Sequence, residues 1–252
     1  MKNFINISEI PKNELRKILD SAKLRKEKRK SLEKNALDPD VPLEGKILAM
    51  IFEKPSTRTR ISFDIAVKQL GGKSLTLNPD EIHYGSGGES LHDTAKVLSQ
   101  YADIVMIRTY EHKKVEQFSK YLSIPIINGL TDLSHPCQIM SDIMTFEEMK
   151  GPINNKKIAW VGDGNNVLYS LIEAAVQFNF NLSFACPKGF EPNKKILKWA
   201  KDKKGKILAF TDPKAAADSA DLIMTDKWIS MGSKIGKKNK KNFFKSFQVN
   251  DK

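Results

Sequence analysis

The chain has few cysteines, and they lie far apart. Among its 252 residues only Cys137 and Cys186 are cysteines, and neither stands at the short spacing from other thiols or imidazoles that zinc sites use. Two isolated thiols do not form a disulfide framework either, because disulfide-rich secreted domains carry many more. The cysteine content therefore predicts a protein of a reducing compartment that holds no metal.

Long hydrophobic runs are missing as well. No stretch approaches the ~18 consecutive apolar residues that a membrane-spanning helix needs, so we expect no membrane span. The first residues, "MKNFINISEIPKNELRK", have no apolar core behind a basic start. We therefore expect no secretory signal and a cytoplasmic location.

Two patterns typical of nucleotide binding are absent or incomplete. The chain has no "G-x-x-x-x-G-K" phosphate-binding loop. Its "GDGNNV" at 162–167 has two glycines of the dinucleotide fingerprint but lacks the third, and two glycines alone are a weak signal. Neither pattern predicts a nucleotide cofactor.

Positive charge is plentiful but confined to two segments. The formal net charge is +12. Residues 23–34 carry seven basic and two acidic side chains, and residues 233–252, with the basic run at 234–245, carry seven and one. Such runs are usually solvated faces, and nucleic-acid binding is the alternative. Neither run has a base-stacking or groove-reading motif, and the three phenylalanines of the second, at 243, 244 and 247, are equally suited to anchor a core.

Apolar strands and amphipathic helices alternate along the chain. The run "KILAMIFE" (46–53) is typical of a strand buried on both faces, and similar runs follow at 103–109 and 124–129. Gly151-Pro152 interrupts the pattern, which then restarts. The alternation predicts an α/β protein with two doubly wound parallel sheets, in domains at 1–150 and 151–252.

The stretch "EKPSTRTR" (53–60) leaves the first buried strand and opens a helix at about Ser56. A helix start offers unpaired backbone N–H groups and the positive end of the helix dipole, which together favour an anion. The hydroxyls of Ser56, Thr57 and Thr59 and the guanidinium groups of Arg58 and Arg60 add donors that suit phosphate oxygens. A plain capping serine beside two solvated arginines is the alternative, but phosphate binding is favoured.

Three more clusters lie where strands of such sheets end, the edge at which ligands bind. "IRT" (107–109) adds Arg108, and "HPCQ" (135–138) offers His135 as a donor to a carbonyl oxygen and Gln138 one helical turn further. "DKWISMG" (226–232) adds an acid that could hold an ammonium group. A lone histidine more often has a structural role, so this histidine alone decides nothing.

Together these motifs resemble the aspartate/ornithine transcarbamylase family, and in particular its ornithine-specific branch. "STRTR" (56–60), "HPCQ" (135–138), "GDGNNV" (162–167) and "DKWISMG" (226–232) match the family in order and spacing, over essentially the whole chain. The first two mark users of carbamoyl phosphate in general. The last is the signal for the ornithine branch.

The resemblance implies a role for each matching residue. Carbamoyl phosphate would be bound by Ser56, Thr57, Arg58, Thr59, His83, Arg108, His135 and Gln138. L-Ornithine would be bound by Asn166, Asp226, Ser230 and Met231. The groups placed at the reacting carbonyl, and thus catalytic, would be Arg58, Arg108 and His135.

The resemblance also implies an activity and an assembly. The δ-amine of L-ornithine would attack carbamoyl phosphate and give L-citrulline and phosphate, in arginine biosynthesis or the arginine deiminase pathway, without cofactor or metal. The loop "EIHYGSGGES" (81–90), which contains His83, looks like the one that reaches a neighbouring subunit in this trimeric family. A homotrimer with no membrane partner is therefore expected.

One feature of the family has no counterpart in the 252 residues. Relatives continue past the "SMG" loop to a "HCLP" segment, whose cysteine contacts the side-chain amine of ornithine, and to a last helix. The comparison predicts a second domain shortened at its C-terminal end. It also predicts a chain that binds carbamoyl phosphate but turns ornithine over poorly.

Two alternatives from other classes are open at this point. A transcarbamylase for another amine, such as putrescine, would keep residues 56–60 without needing a site for an α-amino acid. A non-catalytic module that binds phosphate or nucleic acid would use the same fold and the two basic runs.

Overall fold

The computed structural model describes residues 3–78, 88–228 and 242–250. The chain divides into two compact units, residues 1–137 and 138–252. Each unit holds one four-stranded parallel sheet with helices between the strands. The predicted pair of doubly wound parallel sheets is confirmed.

In the first unit the strands lie in the order β2-β1-β3-β4 and all run parallel. The strands are β1 (Ile47–Phe52), β2 (Lys73–Leu77), β3 (Ile104–Arg108) and β4 (Ile126–Leu130). The helices are α1 (Lys12–Lys28), α2 (Thr57–Gln69), α3 (Leu91–Tyr101) and α4 (His112–Tyr121), with 3-10 turns at Ile7–Glu9 and Arg29–Ser31. Helix α5 (Pro136–Lys150) begins in the first unit and lies mostly in the second.

The apolar run of β1 is buried on both faces of the sheet, as its composition predicts. Ala49 and Ile51 pack in one core cluster with β3, β4, α3 and α4, while Leu48 and Met50 pack in another beside α2. Alternate residues of a strand point to opposite faces, so one six-residue run supplies both cores.

A short N-terminal segment extends the edge of this sheet. Phe4 pairs in parallel with β4, donating its N–H to Ile126 O (2.8 Å) and accepting from Asn128 N (2.9 Å). The buried Asn128 side chain donates to Ile5 O at 3.1 Å. The edge strand β4 is therefore covered along part of its length.

In the second unit the strand order is β7-β6-β5-β8, again all parallel. The strands are β5 (Lys157–Val161), β6 (Asn181–Ala185), β7 (Ile207–Phe210) and β8 (Leu222–Met224). The helices are α6 (Asn166–Phe178), α7 (Lys194–Asp202) and α8 (Pro213–Ala217), with a 3-10 turn at Lys245–Phe247.

Aromatic residues complete the second core. Trp160 is fully buried in β5, and Phe244 and Phe247 are also buried, whereas Phe243 is exposed. The ring of Phe244 contacts Phe190 at a centroid distance of 4.9 Å and Trp228 at 5.9 Å. Two of the three phenylalanines beside the second basic run are thus core anchors.

Each sheet has one point at which the chain reverses its direction of winding. In the first unit this point lies between β1 and β3, and in the second between β5 and β8. A crevice opens at the carboxyl ends of such strand pairs, and it is where ligands bind in open parallel sheets. Among the described residues no helix is long and apolar enough to cross a membrane.

Candidate active site

The start of α2 lies at the carboxyl end of β1, at the first of these two crevices. Ser56 has an extended backbone and is the N-cap of α2, its hydroxyl accepting a hydrogen bond from Thr59 N at 3.3 Å. The predicted helix start is therefore correct. The first turn of a helix has N–H groups without intrahelical partners, so the cap leaves further donors for an anion.

Arg108 ends β3 directly opposite the end of β1. Its Nη1 donates to Thr59 Oγ1 at 3.2 Å, and its buried Nε has no hydrogen-bond partner among the residues that the structure describes. Burial lowers the pKa of Arg108, and the nearby charge of Arg58 lowers it further. An anion between the two guanidinium groups would offset both the cost of burying the Arg108 charge and its repulsion by Arg58.

His135 stands one residue before α5, after the turn that follows β4. Burial, together with the positive charges of Arg108 and Lys54, lowers the pKa of His135 to about 4. The ring is therefore neutral at physiological pH. A neutral imidazole can donate one hydrogen bond to a carbonyl oxygen without adding a charge to the site.

Lys54 is a cation that sequence reasoning did not single out. It is only 9% exposed, and its Nζ lies 5.0 Å from the ring centroid of Tyr110. Its position two residues after a buried strand is the sequence signal for it, because its burial depends on the tertiary fold. It adds a second positive charge near His135, beside that of Arg108.

Glu53 forms hydrogen bonds that connect the ends of β1 and β3. Its backbone N–H donates to Arg108 O at 3.0 Å, and its carboxylate accepts from Thr109 Oγ1 and from Lys114 Nζ (2.7 Å). The carboxylate is largely buried and paired with Lys114. The strand ends that present Arg108 and the α2 turn are thus fixed to each other.

The second crevice is formed by the loop after β5 and the residues after β8. Asn165 is the N-cap of α6, and its Oδ1 accepts from Val167 N (3.0 Å) and Leu168 N (3.3 Å). Its Nδ2 donates to Asp226 Oδ2 at 3.0 Å. The predicted residue Asn166 is the first residue of α6 and lies beside this contact.

The glycines of "GDGNNV" serve close packing of this loop. A Cβ at Gly164 would lie 2.4 Å from Phe190 O and 2.5 Å from Pro192 N, so only glycine fits. Gly162 has a φ of +143°, a conformation that other residues rarely adopt. Close packing and the positive φ explain why both positions are glycine, so a bound dinucleotide is not needed to account for them.

Asp142 on α5 belongs to the same unit as Asp226. Burial and the charge of Asp226 raise the pKa of Asp142 to about 6, although a hydrogen bond from Gln138 opposes the rise. Its Oδ2 is buried and has no hydrogen-bond partner in the described part of the chain. Two interacting carboxyl groups make this unit attractive to a cation.

The predicted site residues are divided between the two units. In the first unit lie Ser56, Thr57, Arg58, Thr59, Arg108 and His135. In the second lie Gln138, Asn166 and Asp226. His83, Ser230 and Met231 lie outside the described residues.

The first basic run is partly engaged in ion pairs. Arg25 contacts Asp38 and Asp40, each at 2.7 Å, and Arg29 also pairs with the buried Asp38. Arg25 and Arg29 therefore anchor the segment before β1. Most of the second run lies outside the described residues.

Comparison with known proteins identifies the class to which this arrangement belongs. Residues 2–148 match the family model described as "Aspartate/ornithine carbamoyltransferase, carbamoyl-P binding domain". Residues 154–252 match the model described as "Aspartate/ornithine carbamoyltransferase, Asp/Orn binding domain". The chain belongs to the aspartate/ornithine carbamoyltransferase family.

Relatives that share nearly half of their residues with this chain are named ornithine carbamoyltransferases. The chain is 49% identical to that of Brucella ovis over 250 residues, which is 99% of this chain and 78% of the relative. It is 48% identical to that of Mesorhizobium japonicum, over 100% of this chain and 81% of the relative. The solved structure of ornithine carbamoyltransferase from Pyrococcus furiosus matches with a TM-score of 0.91 and 42% identity, covering 99% of this chain and 79% of that one.

Proposed function

We propose that the protein transfers the carbamoyl group of carbamoyl phosphate to the δ-amine of L-ornithine, giving L-citrulline and phosphate. The observation that carries the proposal is the convergence of Arg58, Thr59, Arg108 and His135 at one crevice of the first sheet. Family membership and the ornithine carbamoyltransferase names of relatives at 49% and 48% identity support the choice of substrate.

Carbamoyl phosphate binds at the first crevice. Its phosphate lies at the α2 N-terminus and is held by Ser56, Thr57, Arg58 and Thr59, with His83 contributing from its loop. The buried Nε of Arg108 supplies a donor that no described protein group uses. Arg108, His135 and Gln138 hold the carbamoyl end.

Ornithine binds at the second crevice, through Asn166, Asp226, Ser230 and Met231. The Asp226 carboxylate, which Asn165 orients at 3.0 Å, takes the α-ammonium group. A carboxylate can hold the ammonium group of an amino acid or of a diamine, so the choice of ornithine over a diamine rests on family membership and on the names of the relatives.

The chemistry requires positioning and charge stabilisation. The neutral δ-amine attacks the carbamoyl carbon, and the carbonyl oxygen gains negative charge that Arg58, Arg108 and His135 stabilise by donating hydrogen bonds. The intermediate then collapses, the bond from carbon to the phosphate oxygen breaks, and the proton that the nitrogen loses passes to the departing phosphate. Phosphate leaves with the bonding electron pair into the cationic pocket.

The assembly, location and domain limits are further parts of the proposal. Ile61 and Ile65 on α2 and Leu75 on β2 are exposed apolar side chains of the first unit, which supports a homotrimer formed through this unit. We place the enzyme in the cytoplasm and in arginine metabolism. We place the domain boundary at residues 150 and 151, where Gly151, with a φ of +75°, ends α5. The two compact units divide earlier, inside α5, at residues 137 and 138.

A panel of amines tests the proposal. Purified protein and carbamoyl phosphate are incubated with L-ornithine, putrescine, L-lysine or L-aspartate, and the carbamoylated products are identified by mass spectrometry. The proposal expects citrulline from ornithine and little product from the others. A preference for putrescine would show that this diamine, and not ornithine, is the substrate. Salt-sensitive RNA binding without any carbamoylation would indicate a binding module.

A further inference from the structure

His112 is a buried histidine whose contacts join three segments of the first unit. It opens α4 and is 6% exposed. Its Nδ1 lies 2.9 Å from Thr131 Oγ1, in the turn after β4. Its Nε2 lies 3.2 Å from Asn6 Nδ2, in the N-terminal segment.

These contacts select one tautomer of the ring. The Asn6 amide nitrogen also donates to Glu9 Oε1 at 2.7 Å, which fixes the orientation of that amide. Because an amide nitrogen only donates, His112 Nε2 must accept from it. The proton of the neutral ring is then on Nδ1, which donates to Thr131 Oγ1.

The surroundings keep the ring neutral. Burial lowers the pKa of His112, while the carboxylates of Glu116, Glu9 and Asp132 partly oppose this. The Oε1 atom of Glu116 lies 3.8 Å from Nε2. Burial outweighs the three acids, so the tautomer described above persists at physiological pH.

Thr131 is the centre of the turn that leads to His135. Its Oγ1 accepts from Leu133 N (3.3 Å) and Ser134 N (3.1 Å), and its own N–H donates to Ser134 O at 2.9 Å. The next turn residue, Asp132, accepts from His112 N at 3.2 Å through its carboxylate. His112 thus holds the turn at two points, and His135 follows directly after it.

We propose that His112 is a positioning residue for the transfer reaction. Its neutral ring holds the turn at residues 131–134 and thereby aims His135 at the carbamoyl oxygen. This role rests on the proposed function, because it presupposes that His135 contacts carbamoyl phosphate. His112 itself contacts no substrate.

The test compares three replacements with a control on the opposite side of the ring. In His112→Asn the side-chain amide can take the place of Nδ1 and still donate to Thr131, whereas His112→Leu cannot donate. Thr131→Val removes the accepting hydroxyl. The control, Asn6→Ala, removes the other hydrogen bond of the ring but leaves the one to Thr131.

We expect His112→Leu and Thr131→Val to lower kcat by about 10- to 100-fold and to weaken carbamoyl phosphate binding, with the KM for ornithine unchanged. His112→Asn should restore kcat to within a few-fold of the parent. Asn6→Ala should lower the melting temperature without this loss of kcat.

Two results would overturn the inference. One is that folded His112→Leu has the same kcat as Asn6→Ala. If His112→Leu does not fold, Thr131→Val is compared with Asn6→Ala instead. The other is a failure of His112→Asn to restore activity. His135→Ala, measured alongside, separates the two proposals. Normal turnover in His135→Ala would refute the role of His135 itself. Lost turnover in His135→Ala together with normal turnover in His112→Leu would refute only the positioning role of His112.

Discussion

Arg108 donates a hydrogen bond from Nη1 to Thr59 Oγ1, 3.2 Å away, across the carboxyl ends of β3 and β1. One partner ends a buried strand and the other lies in the first turn of α2. The contact fixes a guanidinium group beside a helix N-terminus, and both favour an anion.

This contact predicts coupling between the two side chains. Thr59→Val should weaken carbamoyl phosphate binding, and Arg108→Gln should weaken it more, because it removes both the charge and the orphaned donor. In the double variant the total loss of binding free energy should be smaller than the sum of the two single losses, as expected for groups that act together on one ligand. Isothermal titration of the four proteins gives the coupling, and strictly additive losses would show that the residues act independently.

Arg58 should be essential for the phosphate, whereas its neighbour Arg60 should not be. Arg58→Ala is expected to weaken phosphate and carbamoyl phosphate binding by at least 1 to 3 kcal/mol, about the value of a charged hydrogen bond. Arg60→Ala is the matched control, because Arg60 lines a groove with Asp64 and Ser74 on another side of α2. Calorimetric titration distinguishes them, and equal affinities in the two folded variants would refute the anion site.

Asp226 should discriminate between the two ligands. Asp226→Asn removes the negative charge that would hold the α-ammonium group, so norvaline should bind much less tightly while phosphate affinity stays the same. Norvaline is titrated with carbamoyl phosphate or phosphate already present. Asp212→Asn, at the N-cap of α8, is the control because asparagine caps a helix as well as aspartate does. Parallel losses for both ligands would indicate a folding defect.

The lowered pKa of His135 predicts a pH dependence of stability. Its folded pKa of about 4 lies below the unfolded value of 6.5, so the unfolded chain binds more protons between these pH values. The contribution of the neutral ring is complete above pH 6.5 and should fall by about 3 kcal/mol as the pH drops to 4.

Denaturant unfolding of the parent and of His135→Gln over this range isolates the effect. Asp142, with a pKa raised to about 6, titrates in the same window, but it does so in both proteins and cancels in the difference. A difference in unfolding free energy that stays constant from pH 7 to 4 would contradict the neutral, buried histidine.

Much of the fold could be predicted because the apolar pattern repeats. The buried run that forms β1 and the break at Gly151 suffice to indicate two parallel sheets, and the order of strands and helices then places the motifs at strand ends. The start of α2 was predictable for the same reason, since Ser56 is a residue type that caps helices.

Contacts between distant residues could not be predicted in this way. Asn165 and Asn166 are equivalent in the sequence, and only the fold shows that Asn165 contacts Asp226. Lys54 and His112 are buried by elements that lie far away in the chain, so neither differs in sequence from a surface residue. The raised pKa of Asp142 likewise depends on its burial in the fold and on the charge of Asp226.

We propose that carbamoyl transfer to ornithine needs side chains of both units, Arg58 of the first and Asp226 of the second. The most direct measurement follows citrulline and phosphate from carbamoyl phosphate and L-ornithine, in incubations that are short compared with the spontaneous breakdown of carbamoyl phosphate and are corrected by a blank without protein. We predict citrulline formation that depends on ornithine and is abolished in both Arg58→Ala and Asp226→Asn. Phosphate release above the blank without citrulline would refute carbamoyl transfer to ornithine, and citrulline formation that survives either substitution unchanged would refute the role of that residue.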